Sequence, residues 1–188
     1  MTTVDYFSII HKYIDPHSLT YAFYIPHVAS VTTKAIRLGL HMGLDAEQLR
    51  FVEEAAMLHD IGIVKVRSDR LGCHGDLPYI SHLAEGRKIL EHEGLPRHAL
   101  VAARHVGLGL TKEEISEKKF PLPPEDLFPE TIEEHIISWA DLFFSKAPGQ
   151  AWREKSLSEV RQTAIRYGPR ALRTFEKWAV FFGEAGSA

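Results

Sequence analysis

Four small or apolar residues, Ala55, Ala56, Met57 and Leu58, run directly into His59 and Asp60, and Ile61 and Gly62 follow. A helix of that composition is carried into a protein interior, so its end delivers an imidazole and a carboxylate to the core. A buried carboxylate is costly unless a cation or hydrogen bonds compensate it. Imidazole and carboxylate are also good metal ligands: imidazole suits iron, nickel, zinc and copper, and carboxylate suits magnesium and manganese as well. Gly62 then lets the chain turn. Any fold this chain adopts must bring partners for His59 and Asp60 from elsewhere.

The remaining pattern is helical. Residues 4–14 place Phe7, Ile10 and Ile14 on one face, with Tyr6 beside them, before Asp15-Pro16 breaks the run. Pro26 suits a first helical turn. From there Val28, Val31, Ala35 and Leu38 mark a helix ending near Gly39 or Gly43, with His27 on its inward face. Asp45 is a good N-cap for a helix over 46–59 with Leu49, Val52 and Ala56 inward. Residues 63–79 read as a long irregular segment, and loops of that length are often functional. Ser81 caps a helix to residue 90 carrying His82, Gly86 and Ile89 on one side. Pro96 opens another to about residue 106, with Leu100, Val101 and His105. Residues 111–130 hold four prolines and predict an excursion with one helical turn at 112–116. Thr131 and Glu134 have capping-box spacing, and the helix after them carries Asp141 within an apolar set of Ile136, Ile137, Ala140, Phe143 and Phe144. Helices over 157–167 and 169–182 follow. With no useful β-alternation, repeat or linker, the expectation is one compact all-α domain over 1–188 with about seven to eight helices. Its core would span about 20–146, with C-terminal helices over 150–184 packed on it.

Composition narrows the function. A net charge of -3 gives no reason to expect an extended nucleic acid as partner. The single cysteine, Cys73, cannot form an internal disulfide and fits a reducing cytoplasm. The first residues show no basic and apolar leader, and no apolar run approaches the ~18–20 residues of a membrane span. Eleven histidines are unusual for this length and direct attention to ligands.

Five separate helices place ligand-type residues at inward positions or helix ends: His27, His59-Asp60, His82, His105 and Asp141. No local metal spacing such as HExxH or CxxC occurs, so any centre must assemble from distant segments. For His27 or His105 alone, a hydrogen-bonded core histidine is as good a reading as ligation. Asp141 has Ile137 and Phe144 as helical neighbours and would need a partner if ionised. Taken together, each buried polar group would otherwise need its own separate explanation.

The order His27, His59-Asp60, Asp141 resembles the HD-domain superfamily of metal-dependent phosphohydrolases. The similarity extends to LHDIG at 58–62, HLAEGRKIL at 82–90, RH at 104–105 and WADLFFSK at 139–146, so it spans roughly 20–146. It implies that His27, His59, Asp60 and Asp141 bind a divalent metal. His82 and His105 match the places that hold a second metal in binuclear members. One or two ions, of iron, manganese, nickel, magnesium or zinc, are therefore expected. The Gly-Tyr-Pro signature of the cyclic-di-GMP branch is missing, and no subfamily is fixed.

A divalent ion lowers the pKa of bound water towards ~7, and two ions ~3.5–4 Å apart also stabilise phosphoryl charge. Asp60 and Lys65 are the candidates for catalytic roles, Asp60 as a bridging ligand and Lys65 because it follows the turn directly. Lys65, Arg67, Tyr79, Arg104 and Lys146 are candidates for substrate binding, although cations beside helix ends are more often solvated surface. Cys73-His74 makes a poor metal cage and suits a loop covering the pocket. Gly107-Leu108-Gly109 lacks the context of a phosphate loop. Trp139, Phe143 and Phe144 read as core. The expected activity is hydrolysis of a nucleotide or other small phosphorylated metabolite. The alternatives are a di-iron oxygenase of the same superfamily and a non-catalytic, metal-containing sensing or structural domain. The excursion and C-terminal helices could serve a homodimer.

Overall fold

The structure, a computed structural model, describes residues 3–147 and 149–183; residue 184, the expected end of the C-terminal helices, lies outside them. The described residues form nine α-helices: α1 Tyr6–Tyr13, α2 Leu19–His41, α3 Ala46–Leu58, α4 His82–His92, α5 Pro96–Arg104, α6 Lys112–Glu117, α7 Ile132–Asp141, α8 Leu157–Tyr167 and α9 Pro169–Phe181. The all-α fold class therefore holds. The count exceeds seven to eight because the helical turn after Thr111 is long enough to stand as α6. None of these helices is long and apolar enough to cross a membrane.

Two local expectations are corrected. Helix α2 begins at Leu19, where the Ser18 hydroxyl accepts the Tyr21 amide, so Pro26 lies inside the helix and does not open it. Segment 63–79 is organised by 3-10 turns at Ile61–Lys65, Asp69–Leu71 and Tyr79–Ser81, with a small hairpin of β1 Arg67–Ser68 and β2 Cys73–His74 between them. Two-residue strands are too short to leave an alternation in sequence. The Asp45 cap is present as a full capping box with Gln48.

Two apolar clusters meet at the central helices. One joins α2, α3, α7, α8 and α9 around the fully buried Trp139, whose ring stacks on Phe182 at 5.5 Å. Phe143 and Phe144 belong to it, in keeping with their reading as core. The other joins α1, α2 and α3 to the turn after Asp60 and to α4 and α5 through Ile10, Tyr24, Val28, Leu58 and Ile61. Full burial of such side chains contributes roughly 1.5–3 kcal/mol each. Phe7, expected on the inner face of α1, is 43% exposed, and Ile10 and Ile14 carry that contact.

The excursion between α5 and α7 is tied down by paired backbone hydrogen bonds between Leu110 and Leu127. Arg170 of α9 reaches across to donate to the Leu108 and Gly109 carbonyls and to both Glu114 oxygens. Burial alone would raise the Glu114 carboxyl, but Arg170 and the Thr111 amide outweigh it and hold it below its ordinary range. Substituting Arg170→Gln is expected to cost ~2 kcal/mol, since it strands a carboxylate and two carbonyls. That corresponds to a drop of roughly 4–8 °C in Tm at neutral pH. A depressed folded-state pKa stabilises above the unfolded value and the contribution disappears as pH falls. The gap between wild type and variant should therefore narrow in thermal melts as pH falls below about 4.3, the ordinary glutamate value, and on through the depressed folded-state value, leaving only the share of the two carbonyls. A difference that persists unchanged at low pH would refute the carboxylate's part in it.

The chain from α7 to α8 returns over the protein with Ala151 buried and Trp152 71% exposed. Lys155 holds this return in place: its Nζ donates to the Leu142 and Phe144 carbonyls, and its amide donates to the Phe143 carbonyl.

Candidate metal centre

Most of the ligand-type side chains sit at helix ends, where the backbone departs from the cylinder and aims them inward. His59 follows the last residue of α3, and Asp60 opens the 3-10 turn with φ -101° and ψ 8°. His82 is the first residue of α4, His105 follows α5, and Asp141 is the last residue of α7. His27 alone lies mid-helix, next to Pro26. The turn can press against α4 because residue 62 is glycine: a Cβ there would lie 2.0 Å from the His82 carbonyl oxygen and 2.4 Å from the Gly86 nitrogen.

Asp60 is fully buried and faces two groups of partners. Its Oδ2 lies 3.1 Å from His27 Nε2 and 3.1 Å from His59 Nε2. Its Oδ1 lies 3.4 Å from His82 Nε2 and 3.4 Å from His105 Nε2. Asp141 Oδ1 completes the first group, 3.1 Å from His27 Nε2 and 3.6 Å from His59 Nε2. His27, His59, Asp60 and Asp141 form one set whose ligand atoms lie within 4.8 Å of one another, and Asp60, His82 and His105 form a second such set.

Three of the histidines are oriented by the same device. His59 Nδ1 donates to the Ala56 carbonyl at 2.7 Å, His82 Nδ1 to Tyr79 at 2.6 Å and His105 Nδ1 to Ala102 at 2.9 Å. A carbonyl can only accept, so Nδ1 carries the proton and each Nε2 turns a lone pair towards Asp60 when the ring is neutral. The Nε2 atoms of His27 and His59 and the Oδ1 of Asp60 are buried without a hydrogen-bond partner. Buried polar atoms that converge in this way suit a divalent cation, which would satisfy them together.

The electrostatics agree. Burial would raise the carboxyls of Asp60 and Asp141, but the Lys146 charge, with neighbouring histidines, holds both well below their usual range. Burial pushes the His59 imidazole down, yet Asp60 and Asp141 outweigh it and lift it to about 10. For His82 burial wins over the attraction of Asp60, and the ring falls to about 3. Positive charge is thus favoured beside the two carboxylates, whereas His82 offers a neutral lone pair.

Lys146 Nζ lies 2.6 Å from Asp60 Oδ2. Burial works against its charge, but Asp60, Tyr79 and Asp141 outweigh that and keep it protonated. Tyr79, 38% exposed, packs its ring 4.8 Å from that of His82. The other three expected substrate contacts lie differently. Lys65 is exposed at the end of the 3-10 turn. Arg67 is exposed and 3.7 Å from Asp76. Arg104 is engaged by Glu130 at 2.9 Å and Glu134 at 3.3 Å. Closeness in sequence favoured Lys65, but the cation in contact with Asp60 is Lys146. Cys73 is buried in the hairpin, while His74 beside it is exposed.

Lys155 had no sequence signal beyond its charge. A second buried polar pair also escaped the helical pattern: His98 Nε2 lies 3.3 Å from Glu54, which accepts the Val4 amide through its other oxygen.

An all-helical domain whose helix ends converge on one buried aspartate, with histidines on both of its oxygens, defines a class of candidate metal-centred proteins. The chain belongs to the HD-domain family, whose family model matches residues 24–144. HD domains bind divalent metals, and the two sets of side chains described above could hold them. The chain is 34% identical over 124 residues to a tRNA (cytidine(56)-2'-O)-methyltransferase of Thermoplasma volcanium, covering 65% of this chain and 32% of that protein. It is 36% identical over 118 residues to the protein of the same name from Picrophilus torridus, covering 62% and 30%. An uncharacterized protein of Methanocaldococcus jannaschii is 36% identical over 121 residues, covering 62% of this chain and 63% of that one. The chain thus matches about a third of each methyltransferase and somewhat under two thirds of the third relative.

Proposed function

We propose that the protein is a metal-dependent phosphohydrolase acting on a nucleotide or other small phosphoester. The observation that carries this reading is the division of Asp60: one oxygen faces His27 and His59, the other faces His82 and His105. His27, His59, Asp60 and Asp141 would hold one divalent ion, and Asp60, His82 and His105 a second. When bound, such ions supply a water of lowered pKa and neutralise charge on phosphoryl oxygens. The chain's own contribution is positional. The backbone carbonyls of residues 56, 79 and 102 fix the histidine rings, and Asp60 orders both sets at once. Lys146, free to turn from Asp60 once a cation neutralises that carboxylate, and the Tyr79 hydroxyl present donors to the phosphate. Lys65 and Arg67, exposed nearby in sequence, are assigned at most an outer electrostatic role.

The tRNA methyl transfer named for two of the relatives is not carried over, because the matched segment is about a third of each enzyme. We take residues 1–188 to act as one unit in the cytoplasm, in keeping with the lone cysteine.

Elemental analysis of the purified protein, followed by phosphate release from a panel of nucleotides and phosphoesters, tests the reading. Release should require Mn, Ni, Fe, Mg or Zn and stop on chelation. Loading to a hundred times Kd should also raise stability by about 2.7 kcal/mol, or roughly 5–10 °C in Tm. Two irons with oxygen consumption and no phosphate release would overturn it in favour of an oxygenase.

A further inference from the structure

Asp141 is the last residue of α7, where a helix frays unless its final carbonyls are satisfied. Three of them are met by tightened i→i+3 bonds: the Leu142, Phe143 and Phe144 amides donate to the Trp139, Ala140 and Asp141 carbonyls at 3.2–3.3 Å. The next three carbonyls, those of Leu142, Phe143 and Phe144, all accept from one residue, Lys155. Its Nζ reaches Leu142 at 3.0 Å and Phe144 at 3.4 Å, and its amide reaches Phe143 at 2.8 Å. A cation at the C-terminal end of a helix is also favoured by the helix dipole. Burial pushes the Lys155 ammonium down, and the attraction of Asp141 works most strongly against it, so the two charges are close enough to interact.

A second tie comes from α2. Lys34 lies seven residues after His27, about two turns along the same face, and both are buried. Its Nζ stands 3.9 Å from the centre of the Phe143 ring and 2.8 Å from Glu154, the residue before Lys155. Segment 142–144 is thereby fastened from two directions, by the return towards α8 and by the helix that carries His27. The contact of Lys146 with Asp60 lies two residues beyond it.

We infer that Lys155 is a positioning residue of the metal centre: by closing the end of α7 it holds Asp141 against the half built on His27 and His59, and only that half depends on it. The inference rests on the metal reading of Asp141 and not on the reaction assigned to the centre.

Titration of the chelator-stripped protein with manganese in a calorimeter tests it. Lys155→Met should weaken about tenfold the same ion that Asp141→Ala weakens, and leave the other within twofold. Lys155→Arg, which keeps the charge and the reach to two carbonyls, should stay within threefold of wild type at both. Arg153→Gln, on the same return but paired with Glu159, should change neither. In an Asp141→Ala background, Lys155→Met should cost the remaining ion nothing further, because residues that act through one another do not add. A loss that falls on both ions alike, or that persists in full in that background, is general loosening and overturns the inference, as does a wild type that takes up no manganese. If Lys155→Met does not fold, Glu154→Gln, which releases the return from Lys34, should weaken the same ion two- to threefold, and an unchanged affinity there overturns the inference. If the selective loss is seen but no metal supports phosphate release, Lys155 keeps its role and the phosphohydrolase reading falls.

Discussion

Asp60→Ala is expected to strip metal from both halves of the centre at once, because each half uses one of its oxygens. Asp141→Ala and His105→Ala should each weaken only the half they belong to, leaving about one ion per chain of the two proposed. Substitutions one shell further out in metal sites typically cost 10–100-fold, so loss of the shared ligand should lower phosphate release by more than ~100-fold. Elemental analysis reads the first effect and a phosphate-release assay the second. Helical circular dichroism confirms that the variant has folded. Full metal content in folded Asp60→Ala would end the assignment of a shared ligand.

Gly62→Ala should produce the second large effect, and it begins as packing. The added Cβ meets backbone atoms of α4 at 2.0 and 2.4 Å, and neither can move without the helix. Overpacking of this kind costs ~1–3 kcal/mol and sometimes more, and contact with helix backbone instead of a flexible side chain places it at the upper end. A ~3 kcal/mol loss corresponds to roughly 6–12 °C in Tm. Because α4 begins with His82, metal affinity should fall with it. Gly94→Ala, where a Cβ meets nothing within 4 Å, is the control and should affect stability only through its φ of +74°. Equal melting of the two variants would show that the close approach of the turn to α4 is unimportant.

These two residues also show what could be read in the chain. His59-Asp60 was legible because a helix of small and apolar residues has no reason to end in two polar ones unless something inside meets them. Asp141 was legible for the same reason, set among Ile136, Ile137 and Ala140. The start of α2 was not, because the Ser18 cap competes with the stronger and misleading signal of Pro26. The Thr131 capping box was only half right. Thr131 accepts the Glu134 amide, but the Glu134 carboxylate turns instead to the Glu130 amide and Arg104, partners that sequence spacing does not show. Lys146 ranked below Lys65 because adjacency along the chain was taken as adjacency in space, and the five-residue 3-10 turn Ile61–Lys65 carries Lys65 out to solvent. The Glu54–His98 pair was missed because amphipathic patterning assigns every charged residue to solvent.

The three tryptophans divide sharply, with Trp139 and Trp178 in the core and Trp152 in water. An aqueous quencher such as iodide therefore reaches one indole almost alone. That indole rides on the return between Lys146 and Lys155, so the native emission of the unlabelled chain reports on the segment that leads from Lys146, in contact with Asp60, to α8.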